Sequence, residues 1–401
     1  MQTVRLVLEG GYWDTQLYAG RLYLFAMDGS IRTVNWDRLI QNWPIEERLH
    51  LALTCAFHRS DYLYGNRWDL LFSDPEILPV IRAKFSDLAE QPLIVDTHAL
   101  DGATIGVQNN PFPFPHTDST IYKRRLYVSD QLGVFGASCD ARGGRLRYPV
   151  STRPTKIWDA EALSIAANYD TLALAGGEEG LFEVALTSSS RPWDEELYED
   201  EAYAEPSALS SMDCNRCGWN YYSICASSNS GPSYLVDFNL FEYKRGPGFE
   251  GRREQRAVLK DEEIFGTHGY TWGRQEKIYQ VINSTIKVAR YSPWETDERL
   301  RIETIDQEVF SHPKGEPITA GVSLFGTVIE WDEGLQVITS NAESIWIPGE
   351  PVNWRVFPRS KHYENQLHVL YEDRLEIFSF NHDYFVDQEK KKFGLKFSER
   401  T

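Results

Sequence analysis

The chain has 401 residues, of which 42% are hydrophobic and 25% charged, the composition of a folded globular protein and not of a disordered one. Its 41 Lys and Arg against 59 Asp and Glu leave a net charge of −18, which argues against nucleic acid and anionic membrane surfaces as partners. At roughly 100 to 200 residues per domain, that length fits two or three domains or one large all-β domain.

Met1 to Gly11 carries Arg5 and Glu9 in a short apolar stretch, without the apolar run of a secretory signal. The next element is a hairpin. Asp14-Thr15-Gln16-Leu17-Tyr18 and Arg21-Leu22-Tyr23 flank Ala19-Gly20, and a further turn at Asp28-Gly29 leads into Ile31. Residues 36–43 and 77–90 have helical composition. Between them, 51–57, 61–64 and 68–73 read as the strands of a degraded repeat unit. Asn109-Asn110-Pro111-Phe112-Pro113-Phe114-Pro115-His116 then forbids helix and central strand alike, and Phe112 and Phe114 become candidate partner-binding residues.

The first hairpin returns without a gap as Asp118-Ser119-Thr120-Ile121-Tyr122-Lys123-Arg124-Arg125-Leu126-Tyr127, an offset of 104 residues. In both copies an Asp followed by a hydroxyl residue predicts a carboxylate that bonds turn amides at the strand entry. Residues 159–167 are a third helix candidate. Leu172 to Ala175 then pairs with Leu181 to Val184 across a Gly-rich turn.

Trp193, Glu195, Glu196, Tyr198, Glu199 and Tyr203 belong to a segment with seven carboxylates punctuated by aromatic residues, a candidate for docking on a basic partner surface. Cys214, Cys217 and Cys225 follow. The first two have the spacing of a zinc knuckle, so structural zinc is admissible if a fourth ligand is supplied, while buried free thiols are the plainer reading. Five cysteines, with Cys55 and Cys139, are an odd number spread thinly, which points away from a disulfide framework and toward a reducing cytoplasm.

Further hairpins are expected from Tyr234-Leu235-Val236 with Leu240 to Tyr243, Lys277 to Val281 with Thr285 to Val288, Thr327 to Trp331 with Leu335 to Thr339, and Leu367 to Tyr371 with Leu375 to Phe380. Between the first two, 245–256 reads as a Gly-rich basic loop without phosphate-loop spacing. The longest uncharged stretch, 317–329, falls short of the roughly 20 residues that span a bilayer.

Units of about 40 to 50 residues built from short strands and Gly, Asp or Asn turns are what propeller blades require. The chain resembles the WD-repeat and kelch groups in repeat length and hairpin pattern, without their signature motifs. The expected fold is all-β, a single β-propeller of seven or eight four-stranded blades over 1–401, with short helices in loops and insertions at about 75–95, 107–118, 188–215 and 244–262.

No nucleophile elbow, zinc-protease helix, dinucleotide fingerprint or EF-hand loop is present. The expectation is therefore a non-catalytic interaction platform or regulatory subunit, a monomer bound to another protein with a basic surface. The alternative is a carbohydrate-active, glycosidase-like enzyme in which Trp and carboxylates, as at Trp13-Asp14 and Glu330-Trp331-Asp332-Glu333, line a cleft.

Overall fold

The computed structural model describes residues 3–64, 71, 74–90, 92–139, 149–186, 206–220, 222–229, 231–245, 248–295, 301–310, 315–339 and 342–381, and structural statements concern these. They form seven sheets, six of four strands and one of five. The chain is an all-β propeller of seven blades. The supposed eighth unit is not a blade. His50–Phe57 and Asp61–Tyr64 are helices, and of residues 68–73 only 71 is described.

Successive strands of the first six blades are adjacent and antiparallel, most of them joined by short connections. In the first blade Tyr12–Tyr18 pairs with Arg21–Ala26, then Ser30–Asn35, then Thr104–Asn109. The tip residues Ala19 and Gly20 both have positive φ, 47° and 78°, the twist that a two-residue hairpin needs. The second blade repeats this with residues that resist it. Lys123 and Arg124, between Asp118–Tyr122 and Arg125–Asp130, have φ of 47° and 65°.

The repeated aspartates do more than cap a strand entry. Asp118 accepts from the Ser119 amide at 2.8 Å, but its second oxygen takes the Ser164 hydroxyl at 3.0 Å and the Ile165 amide at 2.9 Å in the third blade. Asp14 accepts from Thr15 N at 2.7 Å and is gripped by the Arg355 guanidinium at 2.8 Å through both Nε and Nη2. Each carboxylate joins the first strand of its blade to the first strand of a neighbour.

The described chain falls into two compact units. Unit one comprises 1–110, 139–150 and 321–401. It holds the first and seventh blades and all of the sixth except the start of its first strand, Thr319–Ser323. Its seventh sheet runs Asn353–Val356, Gln366–Leu370, Arg374–Ser379, Val4–Glu9 and Leu93–Val95. Val4–Glu9 is antiparallel to Arg374–Ser379, with Leu6 opposite Ile377, and parallel to Leu93–Val95.

The 104-residue offset has its cause in this unit. Residues 36–103 are inserted between the third and fourth strands of the first blade and carry the helices Trp36–Gln41, His50–Phe57, Ile77–Ala89 and Thr97–Ala103. Asn35 caps the first of these by accepting from Arg38 N at 3.0 Å. Trp36, Leu53, Phe57 and Phe85 pack with Leu6, Leu22 and Ile377 in one core.

Unit two, 111–138 and 151–320, holds the second to fifth blades. Its cores lie between sheets. Tyr127, Ile165 and Leu172 join the second and third blades, Leu181, Ile224 and Tyr234 the third and fourth, and Cys225, Ile278 and Tyr291 the fourth and fifth.

Three expectations need correction. The alanine-rich candidate helix 159–167 is not one, because Ser164–Asn168 is a strand whose Ser164 hydroxyl and Ile165 amide Asp118 captures. Tyr234 to Tyr243 is not a hairpin but a single strand, Tyr234–Arg245, paired along its length with Gly248–Lys260. The region at 244–262 is thus paired strand followed by the helix Asp261–Phe265, and not a loop insertion.

Candidate interaction surface

Of the expected partner-binding residues, Phe112 and Phe114 are described. Phe112 is buried and Phe114 is 37% exposed, so of the supposed aromatic ridge one ring reaches the surface. The loop's exit is held by Thr117, which donates to the Ala162 carbonyl at 2.6 Å, while its amide donates to Ser129 O at 2.8 Å. Trp193, Glu195, Glu196, Tyr198, Glu199 and Tyr203 lie outside the described residues.

The cysteine trio does not converge on a metal. Among the described residues no three His, Cys, Asp or Glu side chains come together as a metal-holding group. The Cys214 thiol donates to Arg216 O at 3.3 Å and the Cys217 thiol contacts Ser164 O at 3.7 Å, whereas Cys225 sits in a different core cluster. Burial pushes the Cys214 and Cys225 thiols up to about 12 and raises Cys217 as well, the opposite of what a thiolate ligand or nucleophile needs.

Of the Trp–acid groups, Asp14, Glu330 and Trp331 are taken up in packing, and Asp332 and Glu333 are exposed. Asp14 is fully buried on Arg355, Trp331 is buried and donates to Gln336, and Glu330 accepts from the Trp354 indole at 2.7 Å.

Unit two has a surface that the sequence pattern did not single out, a row of aromatic side chains on successive hairpin tips. On the second blade Tyr122 precedes the tip. Its hydroxyl accepts from Asp170 N at 3.1 Å, and Lys123 pairs with the Asp170 carboxylate. On the third blade the tip is Tyr169-Asp170, both with positive φ, 47° and 56°. The Tyr169 ring stacks on Tyr222 of the fourth-blade tip with centroids 4.7 Å apart, and meets Trp219 edge-on at 5.7 Å.

Tyr222 has φ of 101°, a conformation that a bulky residue adopts only when its surroundings impose it. It meets Trp294 edge-on at 5.2 Å. Beneath it, Asn220 is buried, and neither polar atom of its amide has a partner among the described residues.

Trp294 follows the third strand of the fifth blade, and the turn that presents it is anchored from below. Arg301 donates to the carbonyls of Pro293 at 2.9 Å and Glu295 at 3.3 Å, and to the Asp237 carboxylate at 2.9 Å. Tyr291 adds its hydroxyl to the same carboxylate, and burial, together with the Asp237 charge, raises its pKa. This ion pair is almost wholly out of solvent. On this fixed base Trp294 is 56% exposed, while Tyr169, stacked on Tyr222, is 37% exposed.

Such a row offers flat apolar area with little side-chain entropy to lose, the property that enriches Trp and Tyr at the centre of protein interfaces. Aromatic residues where Asn or Gly would be ordinary, at Asn168-Tyr169-Asp170-Thr171 and Trp219-Asn220-Tyr221-Tyr222, were the available signal. It could be read only once these positions were known to be tips.

No family model and no curated relative matches the chain. Solved structures do. They include the WD40 β-propeller domain of Doa1, at 10% identity and TM-score 0.35 over 68% of this chain and 95% of that one. Human WBSCR16 is similar at 10% identity and TM-score 0.36, covering 70% of this chain and 92% of its own. A computationally designed protein, Ika8, reaches TM-score 0.43 at 7% identity, over 95% of this chain and all of its own. The chain is a β-propeller repeat protein.

Proposed function

We propose that this propeller is a non-catalytic interaction platform whose contact surface is the aromatic row of unit two, centred on Tyr169, Tyr222 and Trp294. The observation that carries the reading is the exposure of Trp294, on a turn pinned by the Arg301–Asp237 pair, and of Tyr169, on a tip with positive φ. Interface anchors are rigid aromatic residues of this kind. Packing also occupies Asp14, Glu330 and Trp331, three of the groups that would have served a glycosidase cleft, which favours the platform over the enzyme.

The expected partner is a protein with a basic surface, because a chain at −18 attracts one and repels phosphate backbones. The carboxylates near Tyr198 would speed its approach without adding much affinity. A reducing, cytoplasmic setting is part of the proposal, suggested by five thinly spread cysteines.

The test is isolation of the tagged protein from its native host at physiological salt, beside a Tyr169→Ala/Trp294→Ala variant. A stoichiometric companion that disappears from the variant, with the melting temperature within about a degree of wild type, is the expected result. A companion retained by the variant would move the surface elsewhere, and a wild-type protein that elutes alone would overturn the platform itself.

A further inference from the structure

The helical insertion of unit one encloses a cleft of about 550 Å³, lined by Arg38, Leu39, Asn42, Trp43, His98 and Gly102 among others. That volume is in the range of small-molecule sites. Its floor is apolar and rigid. Leu39, Trp43 and Ala103 are buried, the helix bearing Arg38 is capped by Asn35, and the helix bearing His98 is capped by Asp96, whose carboxylate accepts from Ala99 N at 2.6 Å.

The rim carries solvent-exposed donors, Arg38, Asn42 and His98. Among the described residues no hydrogen bond or ion pair holds the side chains of Arg38, Asn42 or His98, or the indole N–H of Trp43. Other arginines of this unit are held, Arg32 by Asp101, Arg59 by Asp61 and Arg355 by Asp14. Of the acids nearby, Asp37 lies 3.3 Å from His58, Asp101 is bound to Arg32 at 2.6 Å, and Asp96, which itself lines the cleft, uses one oxygen in its cap. Donors outnumber carboxylate oxygens in the lining, where a guanidinium, an imidazole, an amide and an indole N–H stand against the second oxygen of Asp96.

We infer that the cleft binds a small amphipathic anion, a carboxylate on an aromatic or branched aliphatic body. The apolar part would lie on Trp43 and Leu39, with the carboxylate turned to Arg38, the planar fork that suits it. Gly102 marks the space for the apolar body, because a Cβ built there meets nothing within 4 Å. This site lies within unit one and is independent of the aromatic row.

The test is calorimetric titration of the full chain with 4-phenylbutanoate and with its neutral amide. The carboxylate is expected to bind at one site, at least tenfold more tightly than the amide. Arg38→Gln should erase that preference and leave amide binding in place. Gly102→Leu should block both ligands with the melting temperature unchanged or raised, since Leu is the better helix former. Equal affinity for the two probes, unaltered binding in both variants, or no binding of either at millimolar concentration would each overturn the inference.

Discussion

His368 is wholly buried in unit one, with Nε2 3.2 Å from Gln366 Oε1, Nδ1 3.5 Å from Thr15 Oγ1 and the Phe357 ring packed against it. Burial pushes its pKa down to about 3, so the native imidazole stays neutral where an unfolded one, near 6.5, takes up a proton. Between those values the unfolded state binds more protons, and stability therefore falls as pH falls from about 6.5 toward 3. Urea-unfolding midpoints should drop steadily from pH 7 to pH 4 in the wild type and less steeply in His368→Gln; parallel slopes would assign the acid sensitivity to other groups. His368 is one of nine histidines in the chain, and nothing local distinguishes it, because its state is set by the sheets that close over it. The same limit applied to Asp14. Its hydroxyl neighbour marked a structural carboxylate, but Arg355, 341 positions away, could not be read from that motif.

At the level of elements, hairpin tips govern both stability and function. The first and second blades share a tip geometry, yet one carries Gly20 and the other Arg124 at positive φ. A side chain in the left-handed region costs about 1 kcal/mol. Arg124→Gly should therefore raise the melting temperature by a degree or two. The reverse change, Gly20→Arg, should lower it by several, since a Cβ there would come within 2.5 Å of the Asp37 carboxylate. Calorimetric scans of the two variants check the pair, and shifts of the same sign would refute the argument. These hairpins were legible because turn residues and two-residue periodicity are local. The helix His50–Phe57 was not. It is apolar on nearly every side, with five of its eight residues buried, so no helical face appears in its pattern and a short apolar run reads equally as strand.

For the whole molecule, the seventh sheet joins strands distant in sequence, with Val4–Glu9 between Arg374–Ser379 and Leu93–Val95. Leu6 is fully buried in that strand and paired on both sides, whereas Glu9 ends it in solvent. Proline in a strand flanked on both sides removes a ladder bond and is tolerated only at edges and ends. Leu6→Pro should cost several kcal/mol, on the order of 3 or more, and Glu9→Pro under about 1 kcal/mol, as read from thermal unfolding. Comparable losses would mean that this strand does not hold the sheet. The blade repeat, all but one of its expected hairpins, the all-β class and the acidic character followed from the sequence by itself, since each depends on composition or on residues within a few positions of one another. The number of blades, the strand shared across the seventh sheet, the helical identity of the insertion and the aromatic row were decided only by tertiary structure. Each depends on which distant segments pack together: Arg301 raises Trp294 into solvent only because Asp237, on another blade, holds its guanidinium from beneath.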